Sequence, residues 1–132
     1  MKTTPVTQSL PLNKAIELYE IRLKADGRSS HTVDSYLRDL GRLERFVSDR
    51  LHHPEVSGVT PDMLNEFLVS PLVAHKPDGS PMSANSVNKM KTSIKAFFNW
   101  LAATGRVSTN PAARIRVRNV RRPAPDVLTD VE

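Results

Sequence analysis

Hydrophobic residues recur every three or four positions in four stretches of the chain, which is the spacing of one face of an α-helix. The first stretch spans residues 12–26 and is followed by Gly27, a residue type that commonly ends helices. Asn13 or a residue just before it is expected to cap its start. The second stretch begins in RSSHTVDSYLRDL, where Ser29 or Ser30 can accept a hydrogen bond from the free amides of the first turn. Both segments are predicted to be amphipathic helices.

Two further helices are predicted between Thr60 and Gly105. The sequence TPDMLNEFLVS places Thr60 at the N-cap and Pro61 in the first turn, an order that favours helix initiation. The fourth helix, SANSVNKMKTSIKAFFNWLAATG, starts at the capping residue Ser83, and the Pro- and Gly-rich segment PLVAHKPDGSPM before it is predicted to be a loop. The positions expected in the core are Leu12, Ala15, Ile16, Tyr19, Leu23, Val33, Tyr36, Leu37, Leu40, Leu43, Val47, Val87, Met90, Ile94, Phe97, Phe98 and Leu101.

The residues after the fourth helix allow two interpretations. In RVSTNPAARIRVRNVRRPAPDVLTDVE, Ile115 and Val117, with Val120 as a further candidate, alternate with arginines, a pattern typical of a short edge strand. Three flanking prolines favour an extended linker instead. We therefore expect an all-α fold, a compact bundle of four helices, in a chain divided into a flexible start (residues 1–10), a helical domain (11–108) and an extended basic linker (109–132).

Composition narrows the class of protein. Hydrophobic residues make up 39% of the chain and charged residues 25%, as in globular proteins, and the absence of cysteine excludes disulfides, thiol chemistry and Cys-based zinc sites. No apolar run approaches the roughly 20 residues of a membrane span. The first residues, MKTTPVTQSL, lack the hydrophobic stretch of a signal peptide. A cytoplasmic protein with no membrane partner is expected.

The charge of the chain is unevenly distributed. The formal net charge is +5, yet residues 1–78 carry 10 Lys or Arg against 11 Asp or Glu. Residues 79–125 carry nine Lys or Arg and no acid, and residues 126–132 add three acids. The whole excess of positive charge therefore lies in the fourth helix and the segment after it. A block of this kind favours a negatively charged partner.

The outer faces of the second and fourth predicted helices carry side chains suited to phosphate oxygens. Three arginines of the second helix, spaced i, i+4 and i+7, share a face with Asp34 and Asp49, so that face alone fits a solvated surface equally well. The acid-free fourth helix, continuous with a basic tail, favours nucleic acid. Asn can in addition bond to adenine in a major groove. The side chains on these faces are His31, Ser35, Arg38, Arg42 and Arg45 in the second helix, and Asn85, Asn88, Lys89, Thr92, Lys95 and Asn99 in the fourth.

Residues for catalysis or metal binding are not apparent. The four histidines, which include the adjacent pair His52 and His53, show no metal-ligand spacing, and there is no Gly-rich phosphate loop. Tyr19 and Tyr36 fall on core stripes, so they are expected to pack rather than act as nucleophiles. The chain alone is expected not to be an enzyme, with no cofactor, no metal and no small-molecule substrate.

Three motifs in this order resemble the core-binding domain of tyrosine recombinases, the phage integrase family. GRSSHTVDSYLRDLGRLERFV resembles the entry helix of that domain, whose pattern is met by Gly27, Ser30, Thr32, Tyr36, Asp39 and Leu40. SANSVNKMKTSIKAFFNWLAATGRVSTNPA is similar to its last helix and the turn that follows. RRPAPDVLTDVE resembles the linker and the first residues of a catalytic domain. The similarity extends from about Leu12 to Glu132.

The resemblance implies a SAM-like bundle with orthogonally packed helices that forms half of a C-shaped clamp on double-stranded DNA. Its second and fourth helices would cross the major groove, and other protomers of the recombinase would bind beside it. The family's catalytic arginines, histidines, lysine and tyrosine belong to the following domain, so no catalytic residue is carried over. The candidate DNA-binding residues are Ser30, His31, Thr32, Arg38, Arg42, Arg45, Asn85, Asn88, Lys89, Lys91, Thr92, Lys95, Arg116 and Arg118.

Two alternative functions remain open at this point. The first is a helical protein-interaction module that binds an acidic partner through its basic face and tail, with Leu18 and Ile21 as exposed apolar positions on the first helix. The second is a helix-turn-helix regulator, which requires two short helices joined by a turn of about 3–4 residues. The long loop between the third and fourth predicted helices argues against this second alternative.

Overall fold

A computed structural model of the protein describes residues 10–117, which fold into α-helices joined by short turns. The elements are α1 (Leu12–Ala25), α2 (Ser30–Arg50), a 3₁₀ turn (Val56–Gly58), α3 (Pro61–Leu68), α4 (Pro71–Ala74) and α5 (Ala84–Ala103). In this range there is no β-strand, and the isolated bridges join Pro11 to Glu55 and His75 to Pro81. The predicted all-α fold with four main helices is confirmed, and the second and fourth predicted helices are α2 and α5.

Capping residues explain where the helices begin and end. The side-chain oxygens of Ser29, Thr60 and Ser83 each accept a hydrogen bond of 3.1 Å from the amide three residues later. Gly27 and Gly105 follow α1 and α5 with φ of 79° and 77°, a left-handed conformation that glycine adopts at least cost. These predicted starts and stops are confirmed.

The start of α1 agrees with one of the predicted alternatives, and α4 differs from the prediction. Pro11, which comes shortly before Asn13, holds the N-cap position of α1 without a side-chain hydrogen bond, and the Leu12 amide donates to the carbonyl of Pro54. α4 lies within the segment predicted to be a loop and begins at Pro71. A helix of four residues is too short to produce a periodic pattern, so it could not be found in that way.

The core lies between α1, α2 and α5 and is completed by α3, the 3₁₀ turn and α4. α2 contacts all four other α-helices and is therefore the central element. Tyr19 of α1 reaches across to α5, where its ring centroid lies 5.4 Å from that of Phe97. Most predicted core residues are buried, whereas Ile16, Tyr36, Leu37 and Val87 are only partly buried at the edge of the core.

The chain after α5 folds back along that helix. Val107, Pro111 and Ala112 are buried, and Ile115 packs against the core. Residues 115–117 form no strand, so the edge-strand alternative is not observed up to Val117, and Val120 lies outside the described residues. The proposed domain boundaries stay predictions, and the proposed flexible start and most of the proposed linker also fall outside the described range.

Candidate nucleic-acid interface

A buried carboxylate joins α2 to α5 where the two helices cross. Asp39 Oδ2 accepts a hydrogen bond of 2.6 Å from Lys89 Nζ and one of 2.7 Å from Ser93 Oγ. Asp39 is 8% exposed and Ser93 is fully buried, while the Lys89 side chain is about half exposed. A buried carboxylate is tolerated when a cation and hydrogen-bond donors satisfy it. These contacts fix the register of α5 on α2.

This contact changes the interpretation of Lys89. From the sequence, Lys89 lies on the outer, acid-free face of α5; in the structure its ammonium group also neutralises a carboxylate of α2. A signal for this pairing was present, because Asp39 lies three residues after Tyr36 and four before Leu43, on the buried stripe of α2. An acid on a buried stripe requires a donor from a facing helix.

A cavity of about 220 Å³ opens between α2 and α5 next to this ion pair. It brings together four of the predicted site residues, two from the start of α2 and two from α5. Ser35, predicted on the same face of α2, also lines the cavity, and the hydroxyls of Tyr36 and Ser93 are additions that the sequence did not indicate. The lining residues are His31, Thr32, Ser35, Tyr36, Lys89, Thr92 and Ser93. An imidazole, an ammonium and several hydroxyls together can donate hydrogen bonds to an anionic ligand.

The arginine row of α2 lines a second cavity, a groove of about 470 Å³ on a different side of the helix. Its other wall is α4 and the hairpin formed by residues 74–82, in which the Lys76 amide donates to the carbonyl of Ser80 at 2.8 Å. His75 and Lys76 on this hairpin are candidate residues that the sequence analysis missed, because their segment was treated as a loop between helices. Among residues 10–117, no salt bridge involves Arg38, Arg42, Arg45 or Lys76.

Lys95 of α5 binds the protein's own backbone. Its Nζ lies 2.8 Å from the carbonyl oxygen of Ile115, 3.3 Å from that of Ala112 and 3.5 Å from that of Ala113. The lysine therefore holds the segment after α5 against the helix. To contact a phosphate as predicted, the Lys95 ammonium group would have to give up or share its hydrogen bonds to these carbonyls.

The other predicted residues are spread over the same two helices and the segment after α5. Ser30 and Asn85 are exposed in the first turns of α2 and α5. Asn88 and Lys91 are partly buried in α5, and Arg116 is exposed. Arg118 lies outside the described residues. The structure thus places nine of the predicted residues in the α2–α5 cavity, the arginine groove and the exposed helix starts, and the other described ones, Asn88, Lys91, Lys95 and Arg116, belong to none of these groups.

The two tyrosines occupy different environments. Burial raises the pKa of Tyr19 to about 12, with a further contribution from nearby Tyr36, because the charged phenolate is disfavoured in the core. This environment agrees with the predicted packing role of Tyr19. Tyr36 is partly buried and lines the α2–α5 cavity.

In the described part of the chain, no cluster of three or more His, Asp or Glu could hold a metal ion, and no helix is long and apolar enough to cross a membrane.

Comparison with known proteins identifies relatives by sequence. The chain is 28% identical over 104 residues to the tyrosine recombinase XerC of Chlorobaculum tepidum, and 31% identical over 102 residues to XerC of Mycobacterium tuberculosis. These matches cover 79% and 77% of this chain but 31% and 32% of the relatives. The chain therefore spans about a third of the length of the curated relatives it matches.

Solved structures share the helical arrangement. The N-terminal domain of a phage integrase/site-specific recombinase from Haloarcula marismortui superposes with a TM-score of 0.70 at 18% identity, covering 83% of this chain and 98% of that one. The integrase from mycobacterium phage Brujita gives a TM-score of 0.64 at 17% identity, covering 83% of this chain and 34% of that one. These likenesses establish the fold, which is the SAM-like bundle expected from the sequence.

A family model gives the assignment. The model of the phage integrase N-terminal SAM-like domain matches residues 16–105. This range includes α2, α5 and every residue that lines the α2–α5 cavity or the groove between α2 and the hairpin. The chain therefore belongs to the phage integrase family of tyrosine recombinases, as an N-terminal SAM-like domain.

Proposed function

We propose that this chain is the DNA-binding, core-binding domain of a site-specific tyrosine recombinase and that it grips duplex DNA with α2 and α5. One observation carries the proposal. α5 contains no Asp or Glu, and the carboxylate that reaches the α2–α5 crossing, Asp39, is covered by Lys89 and Ser93. The surface around the crossing is therefore free to approach phosphate groups without repulsion from that carboxylate.

The proposed grip divides the work between the two helices. Arg42 and its neighbours in the arginine row contact phosphates from α2, while Lys89 and Thr92 do so from α5. Hydroxyls of the α2–α5 cavity donate to a phosphate at its mouth. Asn88 of α5 is proposed to bond to a base edge. Backbone contacts supply most of the affinity, and a base contact supplies selectivity.

Strand cleavage and rejoining are proposed to belong to a further domain of a parent recombinase, acting through a phosphotyrosyl bond. Other recombinase protomers on the same DNA are the second proposed class of partner. Ile21, which is 62% exposed on α1, provides an apolar position for such a contact. Under this proposal the 132-residue chain contributes affinity and orientation, and chemistry is supplied elsewhere.

The test is the salt dependence of binding to duplex DNA. We expect the parent chain to show a slope of log affinity against log salt that corresponds to roughly 4–7 phosphates. Arg42→Ala and Lys89→Ala should each flatten this slope by about 0.9 and weaken binding to all sequences alike. Lys95→Ala should flatten it equally if the ammonium group exchanges its carbonyls for a phosphate. Lys14→Ala, on α1, is the matched control and should leave the slope unchanged.

Asn88→Ala should behave differently from the charge variants. If Asn88 reads a base, its loss should be sequence-selective, on the order of 1–3 kcal/mol for the preferred site, with little change on random duplex. If Arg42→Ala, Lys89→Ala and Lys95→Ala all bind duplex as the parent does, the proposed α2–α5 surface is wrong.

The rival function, an acidic protein partner, remains a distinct outcome of the same assay. A gel shift with random duplex is run with and without an acidic polypeptide as competitor. Binding to duplex that resists a polyglutamate competitor at equal charge supports the recombinase proposal. A chain that binds polyglutamate and not duplex supports the protein-interaction module.

A further inference from the structure

The groove between α2 and the hairpin has a consistently basic lining. Four of its lining residues are Lys or Arg, a fifth is His75, and none is Asp or Glu. The arginines come from one wall, α2, and the other two from the opposite wall, residues 74–82. The basic residues of the lining are Arg38, Arg42, Arg45, His75 and Lys76. Charges on two facing walls suit a ligand that lies within the groove rather than on one helix.

The acids of α2 and of the hairpin near the groove do not line it. Asp78, at the tip of the hairpin, accepts hydrogen bonds from the amide and the hydroxyl of Ser80 at 2.9 and 2.6 Å. These bonds, from the hydroxyl first and then the amide, lower the pKa of Asp78 and hold its carboxylate inside the turn. On α2, Asp34 and Asp49 lie before and after the arginine row and Glu44 lies within its span, but none of the three lines the groove. Within residues 10–117, no acid lines the groove and none forms a salt bridge with its arginines or with Lys76.

A glycine in the middle of α2 is a second, independent observation. Gly41 lines the groove between the arginines, although glycine in a helix interior is unfavourable compared with alanine. Packing does not require it, because a Cβ at this position would meet no heavy atom within 4 Å. A side chain at residue 41 would extend into the open space of the groove. A bare backbone at this point lets a ligand come close to the helix.

We propose that this groove is a binding site for a stretch of nucleic-acid phosphodiester backbone. Arg38, Arg42 and Arg45 contact phosphates from one wall, Lys76 contacts them from the other, and Gly41 allows the strand to approach α2. The inference rests on the proposed function and adds the hairpin as a third element to the grip of α2 and α5. DNA held in this way would be contacted on both sides of α2.

The first experiment fills the groove without removing charge. Gly41→Leu places a side chain into the open space, and because leucine is the better helix former, the thermal unfolding midpoint should equal or exceed that of the parent. Duplex affinity should nevertheless fall, on the order of tenfold at 0.1 M salt if one phosphate contact is lost. Ser48→Leu is the matched control: it makes the same kind of change at an exposed position of α2 outside the groove and should bind as the parent does.

The second experiment removes charge from the hairpin wall. Lys76→Ala should flatten the slope of log affinity against log salt by about 0.9, whereas Lys14→Ala, the same change on α1, should not alter it. The substitution lies in an exposed hairpin, so the thermal midpoint should stay close to that of the parent.

The outcomes separate this inference from the proposed function. If Gly41→Leu and Lys76→Ala bind duplex like the parent while Lys89→Ala is weakened, the groove proposal is overturned and the α2–α5 grip stands. If both groove variants lose affinity for polyglutamate but not for duplex, the groove binds an acidic protein and the inference is wrong. A parent chain that does not bind duplex removes both proposals.

Discussion

Asp39 connects the two helices on which the proposed function depends, although its own charge is unfavourable for binding DNA. One carboxylate oxygen, Oδ2, accepts hydrogen bonds from both Lys89 and Ser93. The carboxylate therefore satisfies a buried hydroxyl and anchors an ammonium group. An apolar residue at this position would leave the hydroxyl of Ser93 unsatisfied in the core. The acid thus links α2 to α5, and under the proposed function the lysine would keep it from repelling phosphate.

Replacing Asp39 should therefore destabilise the fold. Asp39→Ala leaves the buried Ser93 hydroxyl without its acceptor, and we expect the free energy of unfolding to fall by about 1–3 kcal/mol. Urea unfolding followed by circular dichroism measures the change. Asp49→Ala removes an exposed carboxylate from the same helix and should stay within about 0.5 kcal/mol of the parent. Equal losses for the two variants would show that the α2–α5 hydrogen bonds contribute no more than a surface charge.

Tyr19 gives the fold a dependence on alkaline pH. An unfolded tyrosine titrates near pH 10, and burial raises the pKa of Tyr19 to about 12 in the folded chain. The stability contributed by the protonated phenol is complete below pH 10 and is lost as the pH rises through 12, by about 2–3 kcal/mol in total. Urea unfolding between pH 9 and 12 should show a steeper decline for the parent than for Tyr19→Phe. Parallel declines would contradict the assignment.

Interactions between residues close together in the sequence could be predicted, and those between distant residues could not. Ser29, Thr60 and Ser83 were predicted as caps because a cap depends on residues three positions away. The partner of Asp39 lies fifty positions away in the sequence, and finding it needs the crossing of α2 and α5. The groove residues His75 and Lys76 were missed for the same reason, since only the fold brings the hairpin beside the arginines.

At the scale of elements, the long helices followed from periodicity and the short ones did not. α1, α2 and α5 each repeat the apolar spacing over several turns, which makes the pattern unambiguous. α3 was found from its Thr-Pro start rather than from its length. α4 and the 3₁₀ turn are single turns whose existence depends on packing, and the return of the chain along α5 involves contacts of Lys95 with residues that lie 17–20 positions away.

Lys95 should control the order of the segment after α5. Lys95→Met keeps the aliphatic stem but removes the donor to the carbonyls of Ala112, Ala113 and Ile115. We expect faster amide hydrogen exchange at Ile115, whose amide donates to Ala112, and unchanged exchange in the middle of α5. Lys91→Met is the control on the same helix. Unchanged exchange at Ile115 would mean that burial of its side chain alone holds the segment.

At the scale of the whole molecule, the chain is expected to bind DNA without cutting it. Incubated with a suicide substrate that carries a recombination site, the 132-residue chain should form no covalent DNA–protein adduct. Tyr19 is buried with a raised pKa, and the chain matches only the N-terminal domain of its family. Denaturing gel electrophoresis measures the adduct. An adduct at Tyr36, whose ring lines the cavity with His31 and Lys89, would contradict this expectation.

The folded-back segment after α5 alters where anything joined beyond it would be attached. Residues 104–115 could span about 40 Å if they were extended, but they fold back so that the carbonyl of Ile115 lies beside Lys95, in the middle of α5. The segment therefore extends less far from α5, and the point at which anything beyond it would be attached moves from the end of α5 to its side. A tether that begins there samples a smaller volume, so the effective concentration of the tethered unit near α5 is higher than residue numbering would suggest. Lys95 would thereby set a local concentration without touching the tethered unit.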